Sequence, residues 1–222
     1  MKTVVITGGS EGLGKAIAKR LSPNHNVIIL ARTEETLKAA SNEIGCAYKV
    51  CDVRDYTQVE AVMQEIGTID CLINNAGIWL QGDLDATDAN RIEEVLAVNT
   101  LGTINCTKAV MPGMKQQHAG RIINVISQAG LNARAGWPVY IASKWAITGF
   151  TKSMQQELEP FGIGVTGFYP ATINTELFNK SGAPKDTSKD LDPDETARAV
   201  EYIVNCDNSV LIPEMGIKQN KM

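Results

Sequence analysis

The sequence predicts an α/β fold, in which a mostly parallel sheet of about seven strands carries helices on both faces. Three observations support this prediction. The chain has 222 residues, a length that suits one domain with a sizeable core. Short β-rich runs alternate with longer helical patterns, and a glycine cluster joins the first run to the first helical pattern. We therefore expect residues 1–222 to form a single doubly wound domain.

The first half of the chain repeats the strand-and-helix alternation three times. Strands are predicted at TVVIT, NVIILA, AYKV and CLINNA. Helices are predicted between them, through residues 16–21, 34–44 and 56–66. Parallel strands need such helical crossovers, so this half predicts a parallel sheet.

The second half continues the pattern with longer helices. We predict a long helix over about 88–117, the strand RIINVIS, a helix over about 139–158 and the strand VTGFYP. A polar segment rich in Gly, Pro, Asp and Ser, residues 181–195, predicts a loop, and a last helix follows over 195–204. SVLIP, residues 209–213, is predicted as a short last strand. Ligands bind at the carboxyl ends of such strands, so we expect a mobile substrate loop over about 176–194.

Composition excludes several function classes. The formal net charge is −4, so no basic field attracts nucleic acid. The five cysteines are scattered without C-x-x-C spacing, which predicts neither a disulfide framework nor a metal site and indicates a reducing compartment. No run of about 18 apolar residues occurs, and the first apolar stretch is too short for a signal peptide. We expect a cytoplasmic, soluble protein that binds no membrane.

The glycine cluster lies at the junction of the first strand and the first helix. Its members are Gly8, Gly9, Gly12 and Gly14. A pyrophosphate at this junction would meet free backbone N–H groups and the positive end of the helix dipole, and glycine lets the chain approach it closely. The alternative is an ordinary tight turn between strand and helix. Further motifs are needed to decide.

Three further motifs follow in order along the chain. After T-G-x-x-x-G-x-G at residues 7–14 come N-N-A-G at residues 74–77, then Ser127, then Y-x-x-x-K from Tyr140 to Lys144. In this combination the chain resembles the short-chain dehydrogenase/reductase family up to about Thr175. The resemblance implies a Rossmann fold, a nicotinamide cofactor, and hydride transfer between a carbonyl compound and an alcohol.

The residue types of these motifs suit that chemistry. Tyr140 and Lys144 are four apart in a helical segment and project from one face, so the ammonium is expected to lower the pKa of the phenol. Tyr140 would be the general acid or base, and Ser127 would hydrogen-bond the reacting oxygen. The resemblance implies that Asn99 is a fourth catalytic residue, which orders water behind the lysine. Taken singly, each has a structural alternative: a surface pair, a turn former, or a helix residue bonded locally.

Cofactor choice depends on the end of the second strand. NAD-binding versions of this fold carry an acidic residue there, about 20 positions after the glycine loop, whereas an arginine accommodates a 2′-phosphate. This chain has Ala31 and Arg32, so we expect NADP(H), with NAD(H) as the alternative. Ser10 and Thr33 are candidate helpers. Glu11 in the glycine loop opposes this prediction, since its charge would repel a phosphate.

The resemblance implies further cofactor contacts by position. Those assigned to the cofactor are Gly8, Ser10, Glu11, Gly12, Leu13, Gly14, Ala31, Arg32, Thr33, Asp52, Val53, Asn75, Ala76, Gly77, Tyr140, Lys144, Pro170, Ala171, Ile173 and Thr175. The substrate is expected to be a small carbonyl compound or alcohol. Residues placed to line its pocket are Trp79, Leu80, Gln128, Ala129 and Trp137, together with the loop after Thr175.

The sequence thus predicts an NADP(H)-dependent oxidoreductase. Two other classes stay open: a catalytically silent NADP(H)-binding regulator on the same fold, and an epimerase or dehydratase that uses the same tyrosine. An NAD(H)-preferring dehydrogenase is the nearer alternative. We also expect a homodimer or homotetramer, formed through the two long helices that carry Asn99 and Tyr140.

Overall fold

A computed structural model describes residues 1–220 and contains one seven-stranded sheet. The strands are β1 (Thr3–Thr7), β2 (Asn26–Ala31), β3 (Ala47–Val50), β4 (Cys71–Asn74), β5 (Gly120–Val125), β6 (Ile163–Pro170) and β7 (Glu214–Ile217). Their order across the sheet is β3-β2-β1-β4-β5-β6-β7, and every neighbouring pair is parallel. The predicted doubly wound α/β fold is confirmed.

Helices cover both faces of this sheet. They are α1 (Gly12–Leu21), α2 (Glu34–Ile44), α3 (Tyr56–Ile66), α4 (Ala89–Leu96), α5 (Gly102–Gln117), α6 (Pro138–Leu158), α7 (Leu177–Lys180) and α8 (Pro193–Asn205). Among residues 1–220, none of the helices is apolar and long enough to span a membrane.

The core is divided by the sheet into two clusters. Successive strand residues point to opposite faces, so Val4 and Ile6 of β1 pack with α1, α2 and α8, while Val5 packs with α3, α5 and α6. All three valine and isoleucine side chains are fully buried. Burial on both faces explains why the strands read as continuous apolar runs rather than as an alternating pattern.

Two predicted boundaries are wrong in informative ways. The last strand is β7 rather than SVLIP: the free edge of β6 pairs with residues 214–217, and Val210 and Leu211 of SVLIP are each nearly half exposed. The helix predicted over 195–204 begins at Pro193, because the Asp192 side chain accepts hydrogen bonds from the N–H groups of Asp194 and Glu195.

The helix predicted over 88–117 is not uniform. Between α4 and α5 the chain forms a π-helical turn over Ala97–Leu101, which contains Asn99. The loop predicted over 176–194 also contains α7, whose Phe178 is buried. Both departures lie close to the carboxyl ends of the central strands, where the crossover direction reverses between β1 and β4.

Candidate active site

A crevice of about 280 Å³ opens at the carboxyl ends of β1, β4, β5 and β6. It is lined by most of the residues that the sequence assigned to the site: Gly8, Ser10, Glu11, Gly12, Leu13, Asn75, Ala76, Gly77, Trp79, Ser127, Trp137, Tyr140, Lys144, Pro170, Ala171, Ile173 and Thr175. Three lining residues belong to the loop after Thr175 that was expected to line the pocket: Glu176, Leu177 and Phe178. Four others were not among the assigned positions: Ile78, Val125, Ile126 and Thr172.

The glycine loop fits a pyrophosphate. Gly8 has φ 65°, and a Cβ there would come within 2.9 Å of the Ala76 Cα atom, so only glycine is accommodated. Gly14 does not line the crevice; a Cβ at this position would collide with the Gly8 carbonyl oxygen. Glu11, at the N-cap of α1, forms no side-chain cap hydrogen bond, which leaves the first N–H groups of the helix available to an anion.

The charge of Glu11 is compensated by another part of the site. Its carboxylate pairs with the ammonium of Lys180 at the end of α7. Both side chains are more than half exposed, so the pair itself contributes little to stability. The repulsion that we expected between Glu11 and a cofactor phosphate is therefore countered by a neighbouring cation.

The segment after β4 is fixed to the glycine loop by short hydrogen bonds. The Thr7 hydroxyl accepts from the backbone N–H groups of Asn75 and Ala76, at 3.0 Å each. The Asn75 amide donates to the carbonyls of Thr7 and Gly8 at 3.0 and 3.1 Å. Asn74 is buried, and its amide donates to Thr107 of α5 and to Asn124 of the neighbouring strand β5, which ties β4 to both elements. These bonds hold two walls of the crevice together.

Helix α6 carries Tyr140 and Lys144 into the crevice one turn apart. Proline at its first position preorganises the helix start, just before Tyr140. The Lys144 ammonium lies 5.7 Å from the centre of the Tyr140 ring and donates a 3.1 Å hydrogen bond to the Val125 carbonyl. Ser127 follows β5 and lines the same crevice. The structure therefore brings all three side chains together.

Burial dominates the electrostatics of this trio. It raises the pKa of Tyr140 to about 12, and hydrogen bonding to the Ser127 side chain acts in the opposite direction. The expected lowering of this pKa by Lys144 is wrong for this structure: burial raises the pKa, and the one opposing effect is the hydrogen bond with Ser127. Burial also lowers the pKa of Lys144 to about 8. At neutral pH the phenol is protonated and can serve as a proton donor.

The buried ammonium makes stability depend on pH. The pKa of Lys144 falls from 10.5 to about 8 on folding, so the folded chain binds fewer protons than the unfolded chain between these values. Stability contributed by this group is present above pH 10.5 and is lost as the pH falls through 8. Lys144→Met carries no such titrating group. We therefore expect its free energy of unfolding, relative to that of wild type, to rise by about 3 kcal/mol as the pH is lowered from 10.5 to 8.

Urea unfolding of both proteins at several pH values, without cofactor, measures this difference. Lys152→Met is the matched control, because Lys152 lies on the same helix but is exposed and pairs with Glu214. A difference between Lys144→Met and wild type that stays constant with pH would contradict the burial of a charged amine.

The backbone of Ser127 is strained. Its φ of 149° and ψ of 160° lie in a region that is essentially restricted to glycine. Its hydroxyl accepts a hydrogen bond from the Ala129 N–H at 3.1 Å, which helps to hold this conformation. Strain of this kind persists where surrounding structure enforces it, and it clusters at active sites.

This strain predicts an unusual order of stabilities. Ser127→Ala and Ser127→Gly both remove the hydroxyl, but only glycine adopts this backbone conformation without strain. Glycine also loses more backbone entropy on folding. With that cost subtracted, we expect Ser127→Gly to be more stable than Ser127→Ala by about 1 kcal/mol. Urea unfolding checks this. Ser153 is exposed within α6, where no such strain exists, and it serves as the control. There we expect Ser153→Ala to be more stable than Ser153→Gly by about 1 kcal/mol. Alanine being the more stable replacement at both sites would show that Ser127 is unstrained.

Asn99 is buried behind the crevice rather than lining it. Its Oδ1 accepts from the Ile78 N–H at 2.8 Å, and its Nδ2 donates to the Ile78 carbonyl and the Ser143 hydroxyl at 3.0 and 3.1 Å. The π-helical turn gives it this orientation. These contacts make Asn99 a positioning residue for the N-N-A-G segment; its expected role in ordering water stays a prediction.

The cofactor residues assigned at the ends of β2 and β3 lie outside the crevice. They are Ala31, Arg32, Thr33, Asp52 and Val53. Arg32 is nearly half exposed and its guanidinium approaches the Glu94 carboxylate at 4.0 Å. Hydrogen bonds from Arg54 lower the pKa of Asp52 and engage its carboxylate. Val53 packs beside Gly102 at the start of α5.

The end of the crevice where the substrate is expected is formed by aromatic rings. Trp79, Trp137 and Tyr140 line it, and Phe178 of α7 completes it. Leu80 and Gln128 do not line the crevice, contrary to expectation. The Gln128 amide instead donates to the Tyr169 carbonyl at 2.8 Å. Ala129 does not line the crevice either, and it packs in one cluster with the aromatic rings. The loop after Thr175 was expected to line the pocket, and the apolar pair Leu177-Phe178 was the signal that could have identified which of its residues do so.

Similarity to known proteins agrees with this geometry. Residues 2–186 match the family model described as short chain dehydrogenase. The chain is 33% identical over 216 residues to carbonyl reductase family member 4 of Xenopus laevis and covers 91% of each. It is also 33% identical over 220 residues to 3-dehydrosphinganine reductase of Danio rerio. That match covers 89% of this chain and 66% of the relative's length.

Two solved structures show the same architecture. A closed form of serine dehydrogenase complexed with NADP+ superposes with a TM-score of 0.90 at 28% identity, covering 98% of this chain and 94% of that one. An alcohol dehydrogenase from the archaeon Thermococcus sibiricus, complexed with 5-hydroxy-NADP, gives 0.89 at 26% identity, covering 100% and 99%. With the glycine loop and the Ser127, Tyr140 and Lys144 constellation in one crevice, this chain belongs to the short-chain dehydrogenase/reductase family of oxidoreductases.

Proposed function

We propose that this chain reduces a small carbonyl compound to an alcohol, reversibly, with NADP(H) as cofactor. The observation that carries the proposal is the meeting of Ser127, Tyr140 and Lys144 in the crevice that the glycine loop opens. A lone Tyr-x-x-x-Lys pair on a surface helix would support no such proposal. Here both side chains are buried, and a strained serine lies beside them.

Each side chain has a distinct role in reduction. The Tyr140 hydroxyl, which is protonated at neutral pH, donates its proton to the carbonyl oxygen of the substrate. Ser127 hydrogen-bonds the same oxygen as negative charge develops on it. Lys144 holds a positive charge beside the phenol and is positioned to hydrogen-bond the cofactor ribose. When bound, the cofactor supplies the hydride. In the oxidative direction Tyr140 accepts the alcohol proton.

The preference for NADP(H) rests on charge at the ends of β2 and β3. Ala31 offers no carboxylate to a ribose hydroxyl, and the exposed guanidinium of Arg32 can pair with a 2′-phosphate. The nearest acid after β3, Asp52, is bound by Arg54. The structures that this chain resembles include NADP-bound enzymes, which supports the same preference.

A direct assay tests the proposal. Purified protein is mixed with NADPH and a panel of carbonyl compounds, including short ketones, acyl thioester ketones, steroids, quinones and sugars, and the loss of NADPH absorbance is followed. We expect turnover of at least one class, with a higher kcat/KM for NADPH than for NADH. Binding of NADPH without any turnover would favour the silent regulator instead.

We also propose that the protein forms a homodimer or homotetramer through its long helices. The π-helical turn and α6 pack against each other, and apolar side chains remain exposed on these elements and on α4: Leu96, Leu101 and Trp145. Exposed apolar side chains of this size favour burial against a second copy. Light scattering that gives the monomer mass at micromolar concentration would contradict this.

A further inference from the structure

We propose that Trp79 determines the substrate class of this enzyme: a short carbonyl compound that carries a second oxygen atom near the reacting carbonyl. The proposal rests on the carbonyl reduction proposed above. Two independent features of Trp79 support it. Its ring occupies the space beside the Tyr140 ring, and its indole N–H is buried without an acceptor among residues 1–220.

The first feature limits the size of the substrate. The Trp79 ring centre lies 4.4 Å from that of Tyr140, 4.5 Å from that of Trp137 and 4.8 Å from that of Phe178. Only 3% of Trp79 is exposed. The rings form one wall of the crevice beside Tyr140, so a carbonyl compound whose oxygen reaches the Tyr140 hydroxyl lies with one substituent against them. The wall therefore accepts a short substituent and obstructs an aryl or long alkyl chain.

The second feature, the buried indole N–H without an acceptor, requires a polar group on the substrate. Buried N–H groups are nearly always hydrogen-bonded, and an orphaned one costs free energy. The neighbours of the Trp79 ring are aromatic or apolar and supply no acceptor to Nε1. Trp79 lines the crevice but its Nε1 is covered in the free protein, so the proposal requires the indole to tilt within the wall that it forms and to meet an acceptor on the bound molecule. An oxygen close to the reacting carbonyl meets this requirement.

The size limit and the orphaned donor are separable by substitution. Trp79→Phe keeps an aromatic ring but removes the N–H together with the five-membered ring that bears it, so its effect on the hydrogen bond is measured as a ratio between two ketones of similar size. Trp79→Ala removes the ring as well and opens the wall beside Tyr140. Trp79→Leu is a second opening variant, used if thermal unfolding shows that Trp79→Ala does not fold. Trp145→Phe is the matched control, because Trp145 is half exposed on the same helix as Tyr140 but lies outside the crevice.

The experiment measures kcat and KM for NADPH-dependent reduction of three ketones: diacetyl, butanone and acetophenone. Diacetyl and butanone differ by the second oxygen, and acetophenone adds an aryl group. We expect Trp79→Phe to lower the ratio of kcat/KM for diacetyl over butanone by about threefold to tenfold, which is the value of one neutral hydrogen bond. We expect Trp79→Ala to raise kcat/KM for acetophenone relative to butanone by about tenfold or more.

The outcomes are distinguishable. An unchanged diacetyl-to-butanone ratio in Trp79→Phe would overturn the hydrogen bond to a second oxygen. Wild-type reduction of acetophenone as efficient as that of butanone, with no gain in the opened variant, would overturn the size limit. If the wild-type protein reduced no carbonyl compound in the wider panel, the proposed function itself would fail. Kinetics of Trp145→Phe should match wild type throughout.

Discussion

Tyr140→Phe is expected to lower kcat/KM for carbonyl reduction by about 10²- to 10⁴-fold, the contribution usual for a general acid. The loss should fall on kcat, because the hydroxyl acts on the oxygen that gains charge in the transition state. The phenylalanine ring keeps the packing against Trp79, at 4.4 Å between centres, so the fold should be preserved. Initial-rate kinetics with NADPH and a ketone that turns over provide the measurement.

Two controls make this result specific. NADPH binding, followed by fluorescence titration, should change little in Tyr140→Phe, since the glycine loop is untouched. Tyr202→Phe alters a tyrosine that is 63% exposed on α8, and it should leave the kinetics unchanged. Full activity in Tyr140→Phe would remove this residue from the reaction and leave the proton donor unassigned.

Arg32→Ala is expected to reduce the preference for NADPH over NADH by about 10- to 100-fold in kcat/KM, the value of one charge-assisted hydrogen-bonded pair. The change should appear as a higher KM for NADPH with little effect on NADH, because only NADPH carries the 2′-phosphate. The Glu94 carboxylate that approaches Arg32 at 4.0 Å should not prevent this pairing, since the contact is long and exposed.

Arg91→Ala is the matched control for this prediction. Arg91 also pairs with Glu94 and is similarly exposed, but it lies on α4 rather than after β2. Its loss should leave the cofactor ratio close to that of wild type. A wild-type enzyme that prefers NADH, or an Arg32→Ala variant with an unchanged ratio, would show that Arg32 is a solvated surface residue.

Sequence patterns predicted the central sheet well because burial on both faces leaves an unmistakable apolar signal. The runs that became β1 and β2 contain few polar residues, and each is followed by a helical pattern. The end of the chain was harder to predict. SVLIP has the stronger strand composition, yet the β6 edge pairs with Glu214–Ile217, because pairing register depends on the partner strand.

The sequence by itself determined the fold class and the chemical groups of the site: the glycine loop, and a serine, a tyrosine and a lysine in fixed order. Those features are local, since a turn conformation or a helical spacing of four residues is written in neighbouring residues. Only the tertiary structure decided how these groups behave. Burial raises the pKa of Tyr140 to about 12 because desolvation depends on what surrounds the phenol, including residues distant in sequence. Packing of Phe178 against Trp79 likewise closed the substrate wall, and no local pattern specifies such a contact.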